Sequence, residues 1–240
     1  MIEEADAVSV ITVYRQVGSR GRYIAENVAR TLDCHFTDYQ NVERILLQYG
    51  YSQVREVYET TPDFWDRFTK KGPERDTINA LLQSVSRAEA HHGNVVMLGR
   101  GCFAALQELS DVLNVRVTAP LGLRIERVMQ DQQMTKDQAT AFVAEKDKLV
   151  QEFVKSSYGV SPDDWGMFDL VIDTGKVDAD AAVRWLVEAV RGLPQSGDPR
   201  PPADSLKVDP VIASAVSREF ERMARLRTER KAAREEGRNE

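Results

Sequence analysis

Cysteine, histidine and long apolar runs are scarce in this sequence of 240 residues, which holds 2 cysteines and 3 histidines. Two thiols far apart in the chain fit a reducing compartment better than a disulfide framework. No Cys/His spacing resembles a zinc site. The apolar run that follows the acidic first residues, 8–14, is far shorter than the roughly 20 residues of a membrane-spanning helix. We therefore expect a cytoplasmic protein with no membrane association.

A strong excess of either charge is also missing. The chain has 32 Lys and Arg against 38 Asp and Glu, which gives a formal net charge of -6. Because no overall basic field is present, we expect no nucleic-acid partner, and any phosphate chemistry must come from local clusters. Hydrophobic residues make up 42% of the chain and charged residues 29%. This balance excludes a disordered protein and allows one sizeable core.

Short β-branched apolar runs occur at four places and are separated by stretches with helical periodicity. The runs are 8–14, 94–98, 112–118 and 170–172. This alternation is typical of an α/β protein whose parallel sheet is covered by helices on both faces. Two helical stretches, about 40–92 and about 132–165, are too long for simple crossovers and are predicted to be insertions.

The composition changes after residue 193. Residues 194–210 are rich in proline, serine and aspartate, which is typical of a linker. Residues 211–240 read as a charged helix with an apolar stripe that includes Ile212, Val216, Phe220 and Met223. This stripe packs either on the main domain or on a second copy of the chain. We expect the second arrangement to give a homo-oligomer. Interleaved Arg and Glu argue against nucleic-acid binding by this helix.

The segment 15–22 is the strongest candidate for carrying chemistry, because it lies between a buried strand and a helix. A turn at this point directs successive backbone N–H groups toward an anion at the helix N-terminus. Gly18 and Gly21 allow close backbone approach, and Arg15, Arg20 and Arg22 supply charge-assisted hydrogen bonds. We therefore predict phosphate binding here. A purely structural turn is the alternative.

This segment is not a regular Walker A motif. In the pattern G-x-x-x-x-G-K-[ST], Gly21 fits the second glycine. Gln16, Arg22 and Tyr23 replace the first glycine, the lysine and the hydroxyl residue, respectively. The pattern alone thus leaves the type of phosphate ligand open.

The same segment resembles the opening of the cytidylate kinase-like family, in which a strand ending in ITISRQ runs into a GSGGR-type loop. Further pieces follow in the order found in that family. The matching stretches are 10–25, 36–38, 95–101, 119–127, 158–159 and 168–174. The resemblance covers about 8–191 and leaves the C-terminal segment outside it.

Membership of this family implies a three-layer α/β fold of the P-loop kinase type. That fold has a five-stranded parallel sheet, a helical acceptor-binding region (about 40–92) and a lid (about 132–165), within a domain spanning 1–193. The implied activity is transfer of the γ-phosphoryl group of ATP, with Mg²⁺, to a nucleoside monophosphate, CMP or dCMP by resemblance. Phosphoryl transfer depends mainly on positioning and on compensation of charge, for which arginines are well suited.

The resemblance assigns the donor triphosphate to Gly18, Ser19, Gly21 and Arg22, and we add Arg15 and Arg20 from their guanidinium groups. Ser19 is also the candidate Mg²⁺ ligand, and Asp38 is a second possible group around the ion. The resemblance also implies that Arg22, Arg124 and Arg127 neutralise charge in the transition state. For Arg124 and Arg127 the alternative is an ordinary solvent-exposed helix face.

The acceptor nucleotide is assigned by the same resemblance to Arg100, Asp38 and Asp147, with Arg44 as a weaker candidate. Arg100 lies at the carboxyl end of a strand, where open α/β sheets bind ligands. Its alternative is a surface salt bridge, and Asp147 also fits an ordinary exposed helical run.

Two departures from the family pattern bear on activity. The predicted lid carries few arginines, and Leu98 leaves no acidic residue at the end of its strand to hold Mg²⁺. Magnesium is therefore expected to arrive mainly with the nucleotide. These departures keep two other functions open: a nucleotide-binding regulatory or assembly protein with weakened catalysis, and a kinase for another small metabolite.

Overall fold

The computed structural model describes residues 10–50, 73–193 and 199–236. Parts of four predicted segments lie outside these residues. They are the first two residues of the 8–14 strand, residues 51–72 of the predicted acceptor region, residues 194–198 of the predicted linker and residues 237–240 of the predicted C-terminal helix.

The described elements are five strands separated by one or two helices, followed by two helices at the C-terminal end of the described chain. In chain order they are β1 (Val10–Arg15), α1 (Gly21–Thr31), β2 (His35–Thr37), α2 (Tyr39–Gln48), α3 (Pro73–His92), β3 (Val95–Leu98), α4 (Cys102–Ala105), β4 (Val112–Thr118), α5 (Leu121–Gln132), α6 (Lys136–Tyr158), β5 (Leu170–Asp173), α7 (Ala179–Arg191) and α8 (Pro210–Glu236). Short 3-10 turns lie at Trp165–Met167 and Ala203–Ser205.

The five strands form one parallel sheet in the order β2-β3-β1-β4-β5. Its central strand, β1, pairs with β3 through Val10↔Val95 and with β4 through Val10↔Val112. Helices cover both faces, so the predicted three-layer α/β fold is confirmed. All the carboxyl ends of the strands point to one edge, which is where ligands bind in open sheets of this kind.

Successive side chains of each strand point alternately into two apolar cores on opposite faces of the sheet. Val10 and Met97 face the core that contains α3, α4, the end of α6 and α8, whereas Ile11 and Val96 face the core that contains α1 and α7. Because successive side chains of a strand point to opposite faces, continuous apolar runs are required when both faces are buried. This explains why the strand segments were recognisable in the sequence.

The predicted lid region is dominated by the single helix α6. A capping box between Thr135 and Gln138 starts the helix, and Gly159 at φ 71° ends it. Its first half packs on α5 in a small cluster around Val128 and Val143. Its last turns are buried in the main core. Both ends of α6 are therefore packed against the rest of the domain. Motion of this helix as a lid stays a prediction.

The C-terminal helix α8 lies on its own domain. Ile212, Val216 and Phe220 are each at most 2% exposed and belong to the main core, and Met223 packs against them. Of the two arrangements left open by the sequence, packing on the main domain is the one observed. The chain's own helices α2 and α3 cover the stripe, and self-association of the protein stays a prediction.

The residues before α8 also lie against the domain. The backbone N–H of Ala203 donates to Asp111, and that of Ser110 donates to the carbonyl of Pro201. Leu206 is buried in the main core. The described part of the proline-rich segment is therefore fixed to the domain. None of the helices in the described parts of the chain combines the length and apolarity that crossing a bilayer requires.

The packing of α8 predicts a pH dependence of stability. His35 stacks on Phe220 with ring centroids 4.2 Å apart. Burial, together with the nearby His92 and Arg227, lowers the pKa of His35 from 6.5 to about 4. Since the unfolded chain then binds a proton that the folded chain does not, stability contributed by neutral His35 is lost as the pH falls from about 6.5 toward 4.

We expect urea denaturation of the wild type to show a lower midpoint at pH 5 than at pH 7.5. In the variant His35→Phe, which keeps an aromatic ring against Phe220 but cannot titrate, this difference becomes smaller. An equal pH difference in both proteins would contradict the assignment to His35.

Candidate functional site

Three segments meet at the carboxyl edge of the sheet. They are the loop between β1 and α1 (15–21), the Gly99–Gly101 turn after β3, and the junction of β2 with α2 at Asp38. The order β2-β3-β1 makes these three segments neighbours although they are far apart in the sequence. The structure thereby places most of the predicted donor and acceptor residues around one edge.

The carbonyl groups of the β1–α1 loop are held from outside the loop. Arg124 Nη1 donates to the carbonyl of Val17 (3.2 Å), and Arg127 Nη1 donates to that of Gly18 (3.1 Å). The hydroxyl of Thr174 donates to the carbonyl of Ser19 (2.8 Å). Because three successive carbonyls are fixed on the side of α5 and β5, the orientation of the loop's peptide planes is fixed as well.

The amide groups of this loop divide into two sets. The N–H of Val17 donates to Asp147 Oδ1, and the N–H of Ser19 donates to the carbonyl of Gln16. By contrast, the N–H groups of Gly21, Arg22 and Tyr23 form the first turn of α1, where no intrahelical acceptor exists. The anion-binding capacity of the loop therefore lies at the N-terminus of α1.

The two loop glycines are required by packing. Gly18 has φ 76°, and a Cβ there would lie 2.6 Å from the backbone oxygen of Arg124. A Cβ on Gly21 would lie 2.4 Å from Cβ of Arg15. From the sequence, these glycines were expected to allow close approach of an anion, whereas the contacts seen are with α5 and with Arg15.

Three guanidinium groups around the loop have no acidic partner among the described residues: Arg15, Arg20 and Arg127. Burial, and next the charge of Arg22, lower the pKa of Arg15. Burial, and next the charge of Arg20, lower the pKa of Arg127. Burial is thus the main cause in both cases, and the nearby carboxylates, Asp38 and Asp147 for Arg15 and Asp131 and Asp173 for Arg127, do not offset it.

Arg22 and Asp38, predicted on the donor and acceptor sides, bind each other. Arg22 Nη2 lies 2.6 Å from Asp38 Oδ2, and Arg22 Nη1 lies 3.0 Å from Glu26. Asp38 also caps α2 by accepting from the N–H of Gln40. The start of α1 and the start of α2 are consequently linked by an ion pair.

Arg100 is almost fully buried, with 2% of its surface exposed. Its Nη2 donates to Thr37 Oγ1 and to Glu89 Oε2, both at 3.1 Å. Its Nε and Nη1 have no hydrogen-bond partner within the described chain. The alternative of a surface salt bridge is thereby wrong, because the carboxylate that pairs with Arg100 is itself buried. Although burial opposes it, the charge of Glu89 contributes to the raised pKa of Arg100.

The turn that carries Arg100 has an unusual backbone. Gly99, Arg100 and Gly101 all have positive φ values, between 58° and 78°. A Cβ on Gly101 would lie 2.4 Å from the ring of Tyr158, whose hydroxyl donates to the carbonyl of Arg100. Non-glycine residues held in such conformations are concentrated at functional sites.

Arg124 and Asp147 form a brace between α5, α6 and the loop. Arg124 is 5% exposed, and its Nη1 lies 2.6 Å from Asp147 Oδ2. Asp147, predicted to bind the acceptor, accepts both from Arg124 and from the loop amide of Val17. These contacts exclude two alternatives: Arg124 is not on an ordinary solvent-exposed face, and Asp147 is not merely part of an exposed charged helix. Arg44 lies on α2, the helix that Asp38 caps, and binds Glu219 on α8 at 2.8 Å.

The resemblance to kinases implies a magnesium ion, and Ser19 is the group that fits it best. Its Oγ is buried and has no partner among the described residues. No group of three or more potential metal-binding side chains occurs in the described ranges. A hydroxyl at the start of a phosphate-binding helix suits an ion held mainly by phosphate oxygens and water.

A polar cleft of about 500 Å³ opens beside the loop. Arg20, Tyr23 and Arg127 line one part of it, and Thr174 and Lys176 line another. Thr174 is the last residue of the matched stretch 168–174 but received no role from it, and Lys176 lies just beyond that stretch. Glu89 was also missed from the sequence, where its only signal is an acidic residue within an otherwise apolar helix face.

Comparison with known proteins agrees with this geometry. The model of the cytidylate kinase-like family matches residues 10–176. A cytidylate kinase from Methanopyrus kandleri is 29% identical over 170 residues, which cover 65% of this chain and 88% of that protein. A cytidylate kinase from Pyrobaculum aerophilum is 27% identical over 178 residues, covering 73% and 89%.

A solved structure supports the fold. The crystal structure of an uncharacterized protein from Eubacterium ventriosum superimposes with a TM-score of 0.61, at 17% identity, over 77% of this chain and 98% of that one. The sheet order, the loop between β1 and α1 and the match to the family model all lead to the same assignment: this chain belongs to the cytidylate kinase-like family.

Proposed function

We propose that this protein transfers the γ-phosphoryl group of ATP to a nucleoside monophosphate, with CMP or dCMP as the acceptor. The observation that carries the proposal is the unbalanced positive charge at the β1–α1 loop. Arg15, Arg20 and Arg127 surround free helix N-terminal amides and have no acidic partner in the described chain. A polyphosphate supplies the missing negative charge.

The donor side of the proposal uses the loop and the cleft next to it. The triphosphate lies at the N-terminus of α1, where amides and the helix dipole favour anions. The nucleoside of ATP occupies the cleft of about 500 Å³, which shares Arg20 and Arg127 with the loop. Ser19 offers its free hydroxyl to the magnesium ion that accompanies the phosphates. That ion supplies charge neutralisation during transfer.

The acceptor side uses Arg100, Asp38 and Arg44. Arg100 has two buried nitrogen atoms, Nε and Nη1, whose N–H groups lack acceptors, so a phosphate oxygen reaching them satisfies donors that are otherwise costly to bury. Arg44 has its Nε fixed by Glu219, and this leaves both Nη groups for a ligand. The choice of a cytosine nucleotide is supported by the relatives named cytidylate kinase.

The chain contributes positioning and charge to the transfer itself. Arg127 holds the loop through Gly18 and Thr174 and lines the cleft, which supports a role for its cation beside donor phosphates bound there. Arg124 holds the same loop but is already paired with Asp147. In this proposal Arg127 neutralises charge in transit, and Arg124 does so only after Asp147 releases it.

The proposal is tested by incubating the protein with ATP, Mg²⁺ and each nucleoside monophosphate in turn, and measuring diphosphate products. We expect CDP or dCDP to form. The variant Arg15→Gln is expected to lose about tenfold or more in ATP affinity, since a charge-assisted phosphate contact is removed. Arg30→Gln, an exposed change on α1, serves as the control. No product with any monophosphate at high protein concentration would overturn the proposal.

One observation favours a second function, a nucleotide-binding regulatory protein with weakened catalysis. Arg22, Arg100 and Arg124 are each paired with a carboxylate, which reduces the charge they offer to a transition state. Calorimetric binding of ATP without turnover would select this function over the first.

A further inference from the structure

Glu219 on α8 is a buried carboxylate surrounded by donors from two helices. It is 0% exposed. Arg44 Nε and Arg222 Nη2 donate to its Oε1 at 2.8 and 2.7 Å, and Asn41 Nδ2 donates at 3.2 Å. Burial raises the pKa of Glu219, but the hydrogen bonds from Arg222 and Arg44 outweigh this and keep the pKa below its usual value.

These contacts continue from α8 to the phosphate-binding loop. The side-chain oxygen of Asn41 accepts from the N–H of Asp38, which is the other half of the cap at the start of α2. The carboxylate of Asp38 binds Arg22 at the start of α1. A continuous set of hydrogen bonds therefore runs from Glu219 through Asn41 and Asp38 to Arg22.

Stability alone is a weak explanation for Glu219. The apolar stripe around Val216 and Phe220 already attaches α8 to the domain. Burying a carboxylate costs desolvation that its ion pairs only partly return, so an apolar residue would attach the helix at least as well. What the carboxylate adds is a fixed geometry for the groups that bind it, Arg44 and Asn41.

We propose that Glu219 is a positioning residue for the acceptor phosphate, so that α8 completes the active site although it lies beyond the matched family region. This inference rests on the proposed kinase function. Glu219 holds Arg44 by its Nε, and its contact with Arg44 leaves both Nη groups available for the acceptor phosphate. Through Asn41 it also fixes the cap residue Asp38.

The test compares Glu219→Gln with Glu221→Gln on the same helix. Glu221 is exposed and pairs only loosely with Arg225 at 3.5 Å, so it is a matched control. We expect Glu219→Gln to raise the KM for CMP by about tenfold or more, because small displacements of positioning groups have large effects. The KM for ATP and the melting temperature are expected to change little. Glu221→Gln should match the wild type in all three measurements.

A second variant covers the case in which Glu219→Gln does not fold. Arg44→Met leaves Glu219 bound by Arg222 and Asn41, and it is expected to raise the KM for CMP to a similar extent. In the double variant the two effects should not add, because they act through one side chain.

Several results would overturn the inference. They are an unchanged KM for CMP in Arg44→Met or in folded Glu219→Gln, equal rises in the KM for CMP and for ATP, and full additivity in the double variant. If the wild type forms no product, the proposed function fails and the inference falls with it. An active wild type with unaffected variants rejects the inference alone.

Discussion

Replacing Arg100 by methionine will destabilise the protein by about 3–5 kcal/mol, because the change leaves the Glu89 carboxylate buried without its counter-charge. Glu89 is 0% exposed, and burial already raises its pKa even with Arg100 present. Urea denaturation measures the loss. The control is Arg184→Met on α7, an exposed position where the effect should stay within about 0.5 kcal/mol.

A double variant separates the two roles of Arg100. In Arg100→Met/Glu89→Leu neither charge remains, and replacing a buried ion pair by apolar residues is often neutral for stability. We expect most of the lost stability to return. CMP binding should stay weak, because the unpaired Nε and Nη1 donors of Arg100 are still missing. If Arg100→Met is as stable as the control, the buried pair does not contribute as described. If the double variant binds CMP normally, Arg100 is not an acceptor residue.

The case of Arg100 shows where sequence reasoning reached its limit. Its place after a strand predicted its position at the carboxyl edge of the sheet, and the structure agrees. Its burial was not predictable, because the partner Glu89 lies on α3 in a helix with no motif. Whether an arginine meets solvent or a buried carboxylate depends on tertiary packing, which the periodicity of either segment does not encode.

The fold itself was accessible because buried parallel strands need continuous apolar runs. The four runs found in the sequence correspond to β1, β3, β4 and β5, and the short β2 was expected only through the family resemblance. The stripe of α8 was also correctly identified as an apolar face. The stripe did not reveal which surface covers it. Burial against the chain's own α2 and α3, or against a second copy of the chain, removes the same side chains from water.

The β1–α1 loop was singled out in the sequence by its glycines and arginines, but the groups that support it were not. Arg124, Arg127 and Thr174 hold three of its carbonyls across separations of 107 to 155 residues in the chain. The family resemblance implied that Arg124 and Arg127 meet phosphates, and this role stays a prediction. Their hydrogen bonds to the loop carbonyls show that they set its conformation.

This support makes Gly18 the position where the smallest change should have the largest effect on donor binding. Its φ of 76° costs a residue with a Cβ about 1–2 kcal/mol. In Gly18→Ala the new Cβ would also lie 2.6 Å from the backbone oxygen of Arg124 and 2.9 Å from its Cα. Backbone atoms cannot rotate away, so either the loop or α5 must move.

Such a movement disrupts the hydrogen bonds that Arg124, Arg127 and Thr174 donate to the loop carbonyls. We expect Gly18→Ala to weaken ATP binding about 100-fold, the scale on which a displacement near 1 Å affects a positioned site. Isothermal titration calorimetry with ATP and Mg²⁺ measures it. Gly122→Ala is the matched control. Gly122 lies on α5, the helix that carries Arg124, and a Cβ there meets no atom within 4 Å. Wild-type affinity in Gly18→Ala, or an equal loss in Gly122→Ala, would show that the contact between the loop and α5 does not shape the phosphate site.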